Sequence, residues 1–177
     1  PKYLDKINVF NKDYNIKENE FYFNSGRAAL KFYLNYLSNK LNKKIVIAMQ
    51  DFNCNVVLDA ALEANCEIYL LDIKLGDFSI SCDGIKIVAD KIDVLLLTHY
   101  QGIPNYEYVD IIKFCKKRNI IIIEDLSQTY GSSIDSIKVG TLGDFFISSY
   151  AFDKPFSCFK GGKLEVAKEN KNEIKRV

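Results

Sequence analysis

Long hydrophobic runs are missing from this chain of 177 residues. No apolar stretch approaches the ~20 residues a helix needs to cross a bilayer, and Pro1 to Asp5 carry no apolar signal region. No membrane partner is expected, and the location expected is the cytoplasm. A surplus of charge is missing too: 24 basic and 23 acidic side chains leave a net charge of +1. Without a long basic block there is no argument for a nucleic-acid partner. Histidine is reduced to His99, and the five cysteines (Cys54, Cys66, Cys82, Cys115, Cys158) are odd in number and never spaced CxxC. A disulfide framework or a metal site is therefore not expected, and reduced thiols fit better. The sequence also lacks GxGxxG after a strand, GxxxxGK[ST] and GxSxG, which sets aside the usual dinucleotide, P-loop and nucleophile-elbow chemistries.

What remains is an ordinary globular composition, 48% hydrophobic and 27% charged, long enough for one well-cored domain. Five short, nearly all-apolar runs recur, at 44–48 (KIVIA), 67–71 (EIYLL), 94–98 (VLLLT), 120–123 (IIII) and 145–148 (FFIS). Runs without period-two alternation suit strands buried on both faces. Between them lie helical stripes: Ala29, Phe32, Tyr33, Tyr36 and Leu37; then Val56, Val57, Ala60, Ala61 and Ala64; then Tyr108, Ile111, Ile112 and Cys115. Asn24 or Ser25 is placed to cap the first helix and Asn53 the second. The pattern predicts an α/β fold of three layers: a mostly parallel sheet, helices on both faces, and a late antiparallel strand over 163–166. Residues 131–143 read as a polar, Gly-rich loop, and the charged tail from Lys168 as the start of a helix.

In such sheets ligands bind at the carboxyl ends of the strands. Asn53, His99, Asp125 and Ser149 each follow a predicted strand. Lys154 sits just beyond, in Ser149-Tyr150-Ala151-Phe152-Asp153-Lys154-Pro155, ahead of Gly161-Gly162. A strand-end acid followed by a lysine among small residues is what pyridoxal 5'-phosphate requires. The lysine forms the Schiff base, Asp125 keeps the ring nitrogen protonated, and Ser25-Gly26-Arg27-Ala28 at a helix start with Ser149 receives the phosphate. Taken singly, each residue has a plainer reading: Asp125 as a strand-end cap, Ser25-Gly26 as a helix start, Lys154 as a solvated loop lysine. His99 is favoured as structural, and Gly131, Gly140 and Gly143 as turn formers.

The blocks of the chain, in order, resemble the DegT/DnrJ/EryC1/StrS family of pyridoxal-phosphate-dependent sugar aminotransferases. Asn24-Ser25-Gly26-Arg27-Ala28-Ala29-Leu30 is similar to the family's N-S-G-T-x-A-L. Thr98-His99-Tyr100-Gln101-Gly102 is similar to V-H-x-x-G, and Ile123-Glu124-Asp125-Leu126-Ser127-Gln128 to I-E-D-x-A-Q. Val139 to Asp144 is similar to V-G-x-x-G-D, and Ser149 to Gly162 to S-F-x-x-x-K followed by G-G. The resemblance implies the fold type I large domain and a homodimer. It implies Lys154 as the catalytic lysine, Asp125 at the pyridine nitrogen, Gln128 near the ring hydroxyl, and Gly26, Arg27, Ala28 and Ser149 at the phosphate. It implies transfer of an amino group, from an amino-acid donor such as glutamate, to a nucleotide-linked keto sugar. Dehydratases of the family place His at the lysine position, which Lys154 argues against.

Three departures stand out. Arg27 replaces a threonine, Cys54 replaces an aromatic that stacks on the ring (with either Phe52 substituting or the ring resting on sulfur and aliphatic surface), and Phe159-Lys160 replaces small and acidic residues. The expected organisation is an N-terminal segment over 1–22 and a cofactor-binding large domain over 23–177, without the family's C-terminal small domain. A non-catalytic or truncated relative of the same fold, acting as a binding or regulatory partner, is the alternative.

Overall fold

The computed structural model describes residues 17–170. Its centre is a seven-stranded sheet built from β1 (Glu20–Phe23), β2 (Val46–Gln50), β3 (Glu67–Leu71), β4 (Val94–Thr98), β5 (Ile121–Asp125), β8 (Phe145–Ser149) and β9 (Gly162–Val166). The spatial order is β1-β9-β8-β5-β4-β2-β3. The block β3-β2-β4-β5-β8 is parallel, and β9 and β1 run antiparallel at the other edge. The five apolar runs all become strands. β4 is buried at every position and β5 at all but the first, as strands covered on both faces must be.

Helices α1 (Gly26–Leu41) and α2 (Asn55–Glu63) cover one face, and α3 (Cys82–Val88) and α4 (Tyr108–Lys117) the other. In α1 the residues Ala29, Leu30, Tyr33, Leu34 and Leu37 recur at helical spacing and are buried. Tyr33 lies with its ring centroid 3.9 Å from that of Phe145 on β8, which fixes α1 across the sheet. Ser25 caps α1, its hydroxyl accepting from the Ala28 N–H at 3.1 Å.

Two elements escape the hydrophobic pattern. β1 is four residues long and polar at its start. Its pairing with β9 is secured by side chains, Asn19 Nδ2 donating to the Val166 carbonyl at 2.7 Å. α3 has seven residues, too few for a stripe, and starts on Ser81, whose hydroxyl accepts from the Gly84 N–H. Within 131–143 the chain is not wholly loop: β6 (Ser133–Ile134) and β7 (Ile137–Lys138) form a small hairpin. After β9, residues Lys168–Asn170 make one 3-10 turn, and the rest of the tail lies outside the described residues.

Asn53 does not cap α2. Cys54 occupies that position with no side-chain cap hydrogen bond. Asn53 instead ties its loop to the sheet, donating through Nδ2 to Thr98 Oγ1 at 3.0 Å while its Oδ1 accepts from the Cys54 N–H at 2.8 Å.

Candidate functional site

The parallel strands β2, β4, β5 and β8 deliver their carboxyl ends to one side of the molecule, where a pocket opens beside the start of α1. Gly26, Arg27, Cys54, Asp125, Gln128, Ser149 and Lys154 all line it, together with Asn53, Thr98 and Ser127. These residues come from six separate stretches of sequence. Ala28 is the exception among the expected site residues: it does not line the pocket, and its N–H donates to Ser25 Oγ.

The backbone around the helix start is packed to its limit. A Cβ added to Gly26 would lie 3.2 Å from Ser149 Cβ and 3.4 Å from the Ser148 carbonyl. A Cβ on Gly162 would lie 2.2 Å from the Ser25 carbonyl carbon, inside the backbone itself. Gly162 is therefore needed for β9 to sit under the Ser25–Gly26 peptide. The result is a cradle bounded by main chain, with the first turn of α1 aimed into it. A helix start leaves its first N–H groups without intrahelical partners and carries a partial positive charge, which suits an anion such as phosphate.

Asp125 closes β5 and is only 8% exposed. Its Oδ1 accepts from the Ser127 N–H at 2.9 Å, and among the described residues no cation pairs with it. A buried carboxylate with a single neutral donor is costly unless a positive group comes to it. Gln128 uses Oε1 to accept from the Gln101 N–H at 2.7 Å, which leaves its amide N–H groups as donors. Gln101 holds φ of 49° there, a left-handed conformation that turns its N–H towards Gln128. Lys154 is 15% exposed and meets Asp153 at 3.2 Å. Its loop is closed by the Tyr150 N–H donating to the Gly161 carbonyl at 2.9 Å and the Cys158 N–H donating to the Tyr150 carbonyl at 3.0 Å. A protonated ring nitrogen for Asp125, a hydrogen-bond acceptor for Gln128, a phosphate for the cradle and an aldehyde for Lys154 are the four features of pyridoxal phosphate. The donor set fits that group.

Beneath the pocket lies a residue the sequence pattern does not single out. Glu124 is fully buried. Its carboxylate accepts from the N–H groups of Gly140 at 2.7 Å, Gly143 at 2.6 Å and Leu142 at 3.2 Å, and from Tyr108 Oη at 2.9 Å. His99 Nε2 lies 3.3 Å away, and His99 Nδ1 accepts from the Asn105 N–H at 3.2 Å. The Asn105 donor requires a lone pair on Nδ1, so Nε2 carries the hydrogen that points at Glu124. His99 is thus structural, with both nitrogens engaged and no exposure. Gly140 and Gly143 do more than turn the chain: with Leu142 they wrap a carboxylate. The available signal was a charge inside an apolar strand followed by a Gly-rich loop. Burial and the Glu124 carboxylate together push the Tyr108 phenol well above its ordinary value.

The mostly parallel sheet with helices on both faces is a fold of the pyridoxal-phosphate transferase kind. The profile of the DegT/DnrJ/EryC1/StrS aminotransferase family matches residues 10–177, and the chain belongs to that family. Among curated proteins it is 30% identical over 156 residues to a UDP-4-amino-4,6-dideoxy-N-acetyl-beta-L-altrosamine transaminase of Campylobacter jejuni. That match covers 87% of this chain and 40% of the relative. A GDP-perosamine synthase of Escherichia coli O157:H7 is 29% identical over 77 residues, 44% of this chain and 21% of that protein. The chain spans about 40% of the length of the Campylobacter relatives it matches. Among solved structures, Helicobacter pylori PseC, an aminotransferase involved in pseudaminic acid biosynthesis, superposes with a TM-score of 0.77 at 21% identity. It covers 94% of this chain and 44% of its own. An E. coli GDP-4-keto-6-deoxy-D-mannose-3-dehydratase with bound hydrated pyridoxal phosphate superposes with a TM-score of 0.74 at 19% identity, over 97% and 45%. At such identities the structures speak for the fold alone.

Proposed function

We propose that this chain is the cofactor-binding large domain, residues 23–177, of a pyridoxal-phosphate-dependent aminotransferase. On this reading the enzyme moves an amino group from an amino-acid donor such as glutamate to a nucleotide-linked keto sugar. The observation that carries the reading is the convergence of Lys154, Asp125, Gln128 and Ser149 on one pocket at the start of α1. Family membership supports the reaction class, and the UDP- and GDP-linked sugars named for the relatives support the substrate class.

When bound, pyridoxal phosphate supplies an electrophilic carbon and an electron sink for exchanging an amino group. The chain does the rest. Gly26 and Arg27 offer backbone N–H groups, and Ser149 a hydroxyl, to the phosphate. The Arg27 guanidinium adds charge where a threonine would add only a hydroxyl. Asp125 accepts from the ring nitrogen and holds that proton in place. Gln128, its Oε1 already taken, donates to the ring oxygen. The Lys154 amine would hold the cofactor at its aldehyde carbon and, when free of it, would carry a proton at Nζ.

The whole protein is read as a cytoplasmic homodimer. Support for a second subunit at this face is the exposed aromatic surface around Lys154: Phe152, Phe156 and Phe159 are 78%, 56% and 84% exposed. The test is to incubate the chain with pyridoxal phosphate, reduce with borohydride, and map the modified peptide. A label on Lys154 is expected. A folded chain labelled elsewhere, or not at all, overturns the assignment.

A further inference from the structure

We propose that the cofactor ring in this chain rests on the Cys54 sulfur and the neighbouring aliphatic surface of α2, with no aromatic side chain taking that place. The inference rests on the pyridoxal phosphate reading above and deepens it. Three side chains are near enough in sequence to contact a flat ring in the pocket: Phe52, His99 and Cys54. Phe52 is turned out of it. Its ring packs 5.5 Å from Phe78 and 5.3 Å from Tyr100, and it does not line the pocket. Its turn is fixed by Gln50 Nε2 donating to the Phe52 carbonyl at 2.6 Å. His99 also lines the pocket, but its ring is held in one orientation and is not free to turn against a bound ring. It is fully buried, edge-on to Tyr108, and bonded at both nitrogens.

Cys54 remains. It is an exposed free thiol at the head of α2, and it lines the pocket beside Val56 and Val57. The α2 cap makes no use of its side chain, so the sulfur is free to face the pocket. Asp125, 8% exposed and without a cationic partner among the described residues, independently points to a positively charged group in the pocket. Sulfur is soft and polarisable and makes favourable contacts with aromatic rings. Cys54, Val56 and Val57 thus form a thiol and aliphatic wall in place of a stacked ring.

The consequence is that a bound cofactor covers this thiol. The experiment uses the 177-residue chain and pyridoxamine 5'-phosphate, which has no aldehyde and cannot protect a thiol by bonding to it. Alkylation by iodoacetamide is followed cysteine by cysteine by peptide mass. Cys158, also exposed, serves as internal reference, and Cys66 and Cys115 are buried. Cys54 alkylation is expected to slow on the order of tenfold or more relative to Cys158, because covering the sulfur removes its access. Cys54→Ala is expected to weaken pyridoxamine 5'-phosphate binding about two- to tenfold. A parallel sample is treated with pyridoxal phosphate and borohydride. If Lys154 is labelled while Cys54 stays unprotected, or if Cys54→Ala binds as tightly as the parent, the ring-wall assignment is overturned and the cofactor reading stands. If Lys154 is not labelled, both fall.

Discussion

The Gly143 N–H donates to Glu124 at 2.6 Å, and that carboxylate has no exposure to solvent. The same carboxylate gathers Gly140, Leu142, Tyr108 and His99, so one buried anion joins the end of β5, the loop before β8, helix α4 and the turn after β4. Asp125 follows it in sequence, and Ser149 and Lys154 follow the loop it organises. Tyr108→Phe removes one donor to a charged acceptor, and the expected loss is about 1.5–3 kcal/mol. Glu124→Gln is expected to cost more, because its amide N–H groups would face backbone N–H donors and leave them unpaired. Urea unfolding of both variants checks the order. A smaller loss for Glu124→Gln than for Tyr108→Phe would show that the carboxylate does not organise this loop.

Sequence pattern exposes what repeats. The buried parallel strands, the stripe of α1 and the strand-end positions of Asp125 and Ser149 follow from apolar runs and their boundaries, because burial on both faces demands continuous hydrophobicity. What it hides depends on pairing across long separations. β1 is secured by Asn19 and β9, 147 residues apart, and Glu124 is explained by amides sixteen to nineteen positions on. Asn53 has the residue type of a cap but lies against Thr98, a neighbour only the parallel pairing of β2 with β4 supplies.

Gly162→Ala places a methyl carbon 2.2 Å from the Ser25 carbonyl carbon, against backbone that cannot rotate away. Overpacking of this kind costs about 1–3 kcal/mol. The strain falls on the helix start that would receive the phosphate, so binding of pyridoxal phosphate should weaken together with a lowered thermal midpoint. A variant with parental midpoint and parental affinity would mean that β9 and α1 can separate freely here.

Asp125→Asn separates function from stability. Asparagine keeps an oxygen for the Ser127 N–H and removes a buried charge that lacks a cationic partner among the described residues. The variant without cofactor should be no less stable than the parent. Its affinity for pyridoxal phosphate should fall roughly ten- to hundredfold, the worth of a charge-assisted hydrogen bond. Equilibrium unfolding and an absorbance titration measure the two separately. Loss of stability with unchanged affinity would make Asp125 a structural cap.

At the far edge of the sheet, Glu20 on β1 and Glu165 on β9 are directly opposed in register, and Lys163 holds them together. Its Nζ lies 3.3 Å from Glu20 and 2.6 Å from Glu165, and both Lys163 and Glu20 are 9% exposed at the side chain. Burial pushes the Glu20 carboxyl up, but Lys163 and the hydrogen bond from Tyr22 outweigh it and hold the carboxyl below its ordinary value of 4.5. A carboxyl depressed on folding contributes stability that is present above its unfolded value and lost as pH falls through its folded one. Lys163→Met removes the buried one of two cations beside Glu20, with Lys17 still 3.5 Å away, and leaves two opposed carboxylates. The downward pull on the Glu20 carboxyl is weakened, so the variant should lose less stability than the parent on acidification. Because Glu165 is partly solvated, the loss at pH 7 should be about 2–4 kcal/mol, near or below the range for breaking a buried pair. The gap should narrow as pH drops through about 4.5, as read from urea unfolding of both chains at pH 7 and pH 4. A gap that stays constant with pH would show that Lys163 acts through the packing of its methylenes rather than its charge.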